Sequence, residues 1–445
     1  MRRELDPHAA LGAGVAAVVA LEAGYDFKTS DAWLFAEAAV AAVALLYAWR
    51  RQERLRLVPV LVLAAALQLA WVALHAVMRY RGGYDFASVS VRGDVDTKTI
   101  FPHEGWRLLH GHYPHSEYPV GAVLLFAFEA WIAPNATRTV NAFLMVPFQL
   151  ATVAAVWLTR ARLAPWLAAS VAFWPLNAFS WEFKFDLVPA ALLAFGLVLA
   201  LRERWAWSGV VLGVGALVKW TPGLAFVALV AWLLARRRSA DAARHALAFV
   251  ATVALVYVPF LIWNAHDVLA AYTRQGKRTI TPESLWFLPL RHLFGNAHVL
   301  THISESAGAP HWANVVAGAV QAAVVVAFVV LAARARTLPR AVAVAALTPV
   351  AFLITNRIFS PQFLIPMFAA WAIAAALVVR SPREQLAAGA LAAAASFANA
   401  FVYPFALPRY AVTWQLASLT LFVCAIALTA RLAVRSSEGA PAATG

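Results

Sequence analysis

The chain has 445 residues, 62% of them hydrophobic and 13% charged, with 27 Phe and 18 Trp and a mean hydropathy of +0.70. A soluble protein carries roughly a quarter charged residues, so a cytosolic enzyme, a chain that is mostly disordered tail and a nucleic-acid-binding module all fit this composition poorly. The net charge of +14 comes from 36 Lys and Arg dealt out in twos and threes between apolar runs, which is a topology signal and not a nucleic-acid surface.

Counting runs near the ~20 residues that cross a bilayer predicts an all-α polytopic membrane protein of about 12 to 14 transmembrane helices. Met1-Arg2-Arg3 before an Ala/Val run resembles a signal peptide, yet the polar patch 25-YDFKTSD-31 leads straight into another apolar run without a cleavage site. Residues 1–56 are therefore expected to hold two retained N-terminal helices, and residues 57–435 the main transmembrane domain. The tail 436-SSEGAPAATG-445 is expected to be disordered. The longest polar interruption, residues 79–118, contains Asp85, Asp94, Asp96, Glu104 and Glu117 among Arg, Lys and His. Within it Phe101, Trp106, Leu108 and Leu109 predict a helix lying along the membrane surface, with Gly111 ending it.

Basic clusters at Arg50/Arg51/Arg54/Arg56, Arg160/Arg162, Arg202/Arg204, Arg236/Arg237/Arg238, Arg334/Arg336/Arg340, Arg380/Arg383 and Arg431/Arg435 punctuate the helices. The positive-inside bias assigns them to the cytoplasm. Parity then places outside residues 79–118, 182-EFKFD-186, 219-KWTP-222, residues 264–311, 356-NRIFSPQ-362 and 403-YPFALPRY-410. One stretch breaks the count. Three apolar segments, 119–134, 139–159 and 163–180, lie between two outer loops where an even number is needed, so one of the three is expected to be re-entrant or a half-helix. The lone cysteine, Cys424, lies in an apolar run, which leaves no disulfide framework and no cysteine-based metal site.

The polar exceptions carry the chemistry. Asp94 and Asp96 are each either a solvated loop acid or a general base toward a hydroxyl. Their spacing also resembles a two-carboxylate metal clamp, although the sequence requires no metal. Lys219 and Lys184 interrupt apolar sequence at predicted outer helix ends, where a cation must snorkel or find a partner. With Arg274, Lys277 and Arg278 from 272-YTRQGKRTITPES-284 and Arg357 from 356-NRIFSPQ-362, they form an outward basic set. That set is either an anchor for acidic head groups or a grip on a lipid phosphate.

Taken in order, several segments resemble glycosyltransferase family 87, the polyprenyl-phosphate-mannose-dependent mannosyltransferases with the type C glycosyltransferase fold. They are Gly93-Asp94-Val95, Gly111, 117-EYPVGA-122, 183-FKFDLVPA-190, 208-SGVVLGVGALVKWTP-222, 272-YTRQGKRTITPESLW-286 and 358-IFSPQF-363. The resemblance runs from about residue 90 to 410. Lys98 stands where the family usually has an aromatic, and its longer EYPP stretch is compressed here to 113-YPHSEYPV-120, so Asp94 and Asp96 both stay candidates for the base.

The resemblance implies a structured outer loop in the first module and a lipid donor, a polyprenyl-phosphate sugar with mannose the commonest. It also implies a glycolipid or glycan acceptor and a site on the extracytoplasmic face of the plasma (inner) membrane. Asp94 or Asp96 would take the acceptor proton in an inverting displacement. Lys219, Arg278, Lys277, Arg274 and Arg357 would hold the donor phosphate. Glu117, Tyr118, Lys184, Asp186, Gln275, Glu283 and Gln362 would meet the sugar or acceptor. Membrane lipids are the other expected partners, no nucleic acid is, and no glycine motif for a sugar nucleotide occurs. The competing classes are a transporter or flippase, which predicts inverted repeats and Gly/Pro-broken midplane helices, and a non-catalytic membrane subunit, for which both aspartates would be dispensable.

Overall fold

The computed structural model describes residues 5–24, 32–80, 96–173, 184–278, 280–281, 283–287, 311–400 and 411–435. Asp85, Asp94, the 403–410 loop and the 436–445 tail lie outside these residues. Among the described residues every regular element is helical. In chain order they are α1 (Pro7–Gly24), α2 (Ala32–Arg50), α3 (Leu57–Tyr80), α4 (Phe101–Leu109), α5 (Val120–Ile132), α6 (Thr137–Trp157), α7 (Ala164–Phe173) and α8 (Leu187–Leu201). There follow α9 (Trp205–Val218), α10 (Pro222–Ala235), α11 (Ser239–Lys277), α12 (His311–Arg334), α13 (Leu338–Thr355), α14 (Leu364–Val378), α15 (Pro382–Ala400) and α16 (Ala411–Arg435). Among the described residues, seven helices are long and apolar enough to cross a membrane, and six more are apolar helices of 10–17 residues. Of these seven, α13 and α14 are the most enclosed, whereas the apolar stretch of α11 faces outward along its length.

The helix expected around Phe101–Leu109 is present. α4 buries Phe101, Glu104 and Gly105 and leaves Trp106 and Leu109 exposed. It ends in a Schellman motif: Gly111 sits at φ 79°, with its N–H on the Leu108 carbonyl (3.1 Å) and the His112 N–H on the Arg107 carbonyl (3.0 Å).

The parity problem resolves at α5. Pro119, at its start, lines the same cavity as Lys184. Just past its end, near the start of α6, Asn141 Nδ2 donates to the Lys184 carbonyl at 3.3 Å. Both ends of α5 thus lie on one side of the bundle, so α5 is the segment of the three that does not cross. α4 packs flat against it: a Cβ on Gly105 would fall 2.2 Å from the Phe126 carbonyl oxygen, so only glycine allows the approach. The outer side of α5 presents Phe128 and Trp131, aromatics suited to a bilayer interface.

The basic turns gather at the other end. Arg238 pairs with Glu203 (2.5 Å) and with Asp241 (2.7 Å). Arg236 Nη2 and Trp232 Nε1 both donate to the Ala335 carbonyl, at 2.5 and 2.9 Å, and Trp166 Nε1 reaches Leu45 O at 3.0 Å.

α11 is two helices joined at Asn264, whose φ −154° and ψ 77° break the helix. Asn264 caps the second half: its Oδ1 accepts the Asp267 N–H (3.2 Å) and its Nδ2 donates to Asp267 Oδ2 (2.7 Å).

Candidate active site

The site is assembled from helix ends. A π-helical turn, Asp96–Ile100, leads into α4. Phe101 stacks on Phe126 (4.0 Å, 8°), and Phe185 and Tyr118 stand edge-on to both rings at 5.3–5.9 Å. This aromatic cluster fixes Tyr118 beside the chain entering α8. A second tie runs through Ser116, whose Oγ donates to Glu104 Oε2 (2.7 Å) and accepts the Tyr118 N–H (2.9 Å). Burial pushes the Glu104 carboxyl up to about 7, with Glu117 adding repulsion and the Ser116 hydrogen bond opposing it. Tyr118 is pushed well above the usual phenol range by burial and then by the neighbouring Asp96 and Glu117, so its hydroxyl stays a donor.

A cavity of about 700 Å³ opens at the end of the bundle opposite the basic turns, between the residues leading into α5, α8 and α10, the ends of α9 and α11, parts of α12 and α13, and the 356–363 segment. Three cation–carboxylate pairs line it. Asp96 meets Lys184, Asp186 meets Lys219, and Glu117 meets Arg278 at 3.3 Å. The Lys219 ammonium also lies over the Phe363 ring at 4.3 Å and near Phe185 at 5.7 Å. Gln275 and Gln362 face the same space, with the Gln362 carbonyl accepting the Ser360 hydroxyl.

Arg357 lines the cavity too, but three of its hydrogen bonds go to backbone. Its guanidinium caps α11 by donating to the carbonyls of Arg278 (3.1 Å), Gln275 (3.4 Å) and Gly276 (3.1 Å). The adjoining strands of loop are laced together: Thr281 N–H donates to Arg357 O (2.9 Å), and Thr281 Oγ1 accepts the Phe359 N–H (2.9 Å). Arg357 therefore acts first as a positioner of Gln275 and Arg278.

Of the residues expected from sequence, Asp96, Glu117, Tyr118, Lys184, Asp186, Lys219, Gln275, Arg278, Arg357 and Gln362 share this one cavity. Arg274 is exposed and outside its lining, and Glu283 is buried but also outside it. Asp94 and the side chain of Lys277 lie outside what is described. The lining also includes Tyr272, Thr221, Gln321, Asn356 and Ser360, which sequence reasoning missed. Gln321 had a usable signal, an amide in the middle of the apolar helix α12; its Nε2 bonds Phe352 O at 3.0 Å. Thr221, Asn356 and Ser360 gave none, because a Thr, Asn or Ser at a helix end is ordinary capping chemistry.

The lining holds three carboxylates and four cations, a formal excess of one positive charge. Helix starts at Pro119, Asp186 and Thr221 direct backbone N–H groups toward this end, which further favours an anion. A monoanion with polar and apolar parts fits this mixture of groups. No curated protein matches the chain. The model of glycosyltransferase family 87 matches residues 117–361, more than half of the chain and every charged lining residue except Asp96. With its helical membrane architecture and its cavity at one end, the chain belongs to glycosyltransferase family 87, the membrane-embedded transferases its sequence resembles.

Proposed function

We propose that the protein moves a sugar, mannose in the first instance, from a polyprenyl phosphate to a hydroxyl of a glycolipid or glycan on the outer membrane face, with inversion. The observation that carries this reading is the presence of Asp96 and a net-positive ring of Lys219, Arg278 and Arg357 in one cavity at the end away from the basic turns. Asp96 takes the acceptor proton. The acceptor oxygen bonds to the anomeric carbon as that carbon's bond to the phosphate oxygen breaks, and the bonding pair leaves on the phosphate. A monoanionic diester becomes a dianionic monoester, so charge grows at the leaving group. Arg278 and Lys219, already held by Glu117 and Asp186, meet that charge without being ordered first. Lys184 orients Asp96. Tyr118, Gln275, Gln362 and the face of Trp220 are the groups for sugar hydroxyls and ring.

The test is transfer from radiolabelled polyprenyl-phosphate mannose into extracted envelope glycolipid by protein in nanodiscs, comparing wild type with Asp96→Asn and Asp94→Asn. Loss of a general base lowers turnover by about 10²–10⁴-fold, and Asp96→Asn is expected to fall in that range. Full transfer by Asp96→Asn with loss in Asp94→Asn moves the base to Asp94, and full transfer by both removes the base from this loop. Movement of lipid sugar without a new glycosidic bond would support transport instead.

A further inference from the structure

Beside the cavity, and outside its lining, His115, His266 and Asp267 place three ligand atoms within 4.8 Å of one another. His115 Nδ1 is 2.8 Å and His266 Nδ1 is 3.1 Å from the same Asp267 oxygen, and the two imidazoles are stacked at 5.4 Å. The geometry points to a binding site for a divalent cation of the zinc class, with two imidazole nitrogens and one carboxylate oxygen as ligands.

The bland alternative is a solvated hydrogen-bonded cluster, and three observations weigh against it. First, the His266 side chain is 85% exposed and free to turn to water, yet its Nδ1 faces Asp267. Second, the carboxylate is oriented from behind: Asn264 Nδ2 holds Asp267 Oδ2 at 2.7 Å and Asn264 Oδ1 fixes the Asp267 N–H, the outer support that metal ligands generally have. Third, the His115 segment is anchored, because buried Tyr113 packs its ring on Phe260 (5.6 Å) and Trp263 (6.3 Å), just before the helix break. Two ligands from far apart in sequence are thus held before any ion arrives.

Imidazole and carboxylate suit zinc, at about 2.0–2.2 Å from the ion. The cation would replace the shared protons, opening the two short contacts by a few tenths of an ångström to the ~3.3 Å edge of a tetrahedron. A water completes the fourth position. Asp267 begins the helical stretch whose next two turns on that face carry Ala271 and Gln275, both in the cavity lining. The ion therefore acts as a strut between the 110–119 loop and the helix that presents Gln275 and Arg278. This site does not depend on the transferase reading.

Full-length protein in detergent, stripped with chelator, is titrated with Co²⁺ while its visible absorption is recorded, and Zn²⁺ is then added in competition. Wild type is expected to develop a band saturating at one equivalent and displaced by Zn²⁺. His266→Gln and His115→Gln should each weaken binding at least about tenfold and abolish the Zn²⁺-dependent rise in unfolding temperature. His266→Gln alters only an exposed side chain, and a monodisperse elution profile reports that it is folded. Absence of a band in wild type, or a band of undiminished affinity in either variant, overturns the site.

Discussion

At the scale of single residues, the charges around the cavity follow the helix ends. Asp186 stands at the start of α8, while Lys219 stands at the end of α9 and Arg278 at the end of α11. Each sign matches the partial charge of its terminus, so backbone electrostatics and site chemistry ask for the same residues. Glu104 is the exception, a carboxyl buried for its link through Ser116 to the Tyr118 backbone. Its folded value, about 7, lies above the ordinary carboxyl value of 4.5. The stability that the protonated form contributes is complete below 4.5, falls as the pH rises toward 7, and is gone above that. Glu104→Gln keeps a carbonyl for Ser116 and cannot ionise. It should therefore unfold at a higher temperature than wild type at pH 8, by an amount on the order of 1–3 kcal/mol, and the two should converge near pH 5. Parallel melting curves across that range would contradict the assignment.

At the scale of elements, close helix contacts place the pieces. A Cβ on Gly121 would come 2.7 Å from the backbone carbon and oxygen of Leu217, two residues before Lys219. The start of α5, just after Glu117 and Tyr118, rests directly on the end of α9 at this point. Gly121→Ala must push the two apart, costing about 1–3 kcal/mol, and should reduce transfer at least tenfold by withdrawing Glu117 and Tyr118 from the cavity. Gly276→Ala is the internal control: a Cβ there meets nothing within 4 Å, so melting and transfer should both match wild type.

The same contacts explain what could be read in advance. The surface helix, its Gly111 stop and the lone polar residues at apolar ends are local features, visible as composition and spacing. The pairings of Asp96 with Lys184 and Glu117 with Arg278 join residues far apart in the chain, and no local pattern announces them. Lys219 and Arg278 were legible as cations, and their carboxylate partners as acids. What the structure adds is that the two sets meet, so an incoming phosphate shares these cations with carboxylates.

At the scale of the whole molecule, the alternation of basic turns with cavity-lining ends gives the bundle two chemically distinct faces. The break in parity at 119–180 vanishes once α5 is counted as non-crossing, and among the described residues the cavity-side helix ends then alternate with Arg-bearing turns. The positive-inside bias then predicts that the cavity faces outward. This is directly measurable, because the chain has a single cysteine, Cys424. In a Cys424→Ser background, Gly276→Cys introduces a thiol beside the cavity and Arg336→Cys one on the basic face, both at exposed positions. A membrane-impermeant maleimide applied to cells stripped of any outer envelope should label Gly276→Cys at once and Arg336→Cys only after permeabilisation. The reverse pattern would put the cavity in the cytoplasm, where sugar nucleotides are made, and a lipid-phosphate donor displayed on the outer leaflet would no longer reach it.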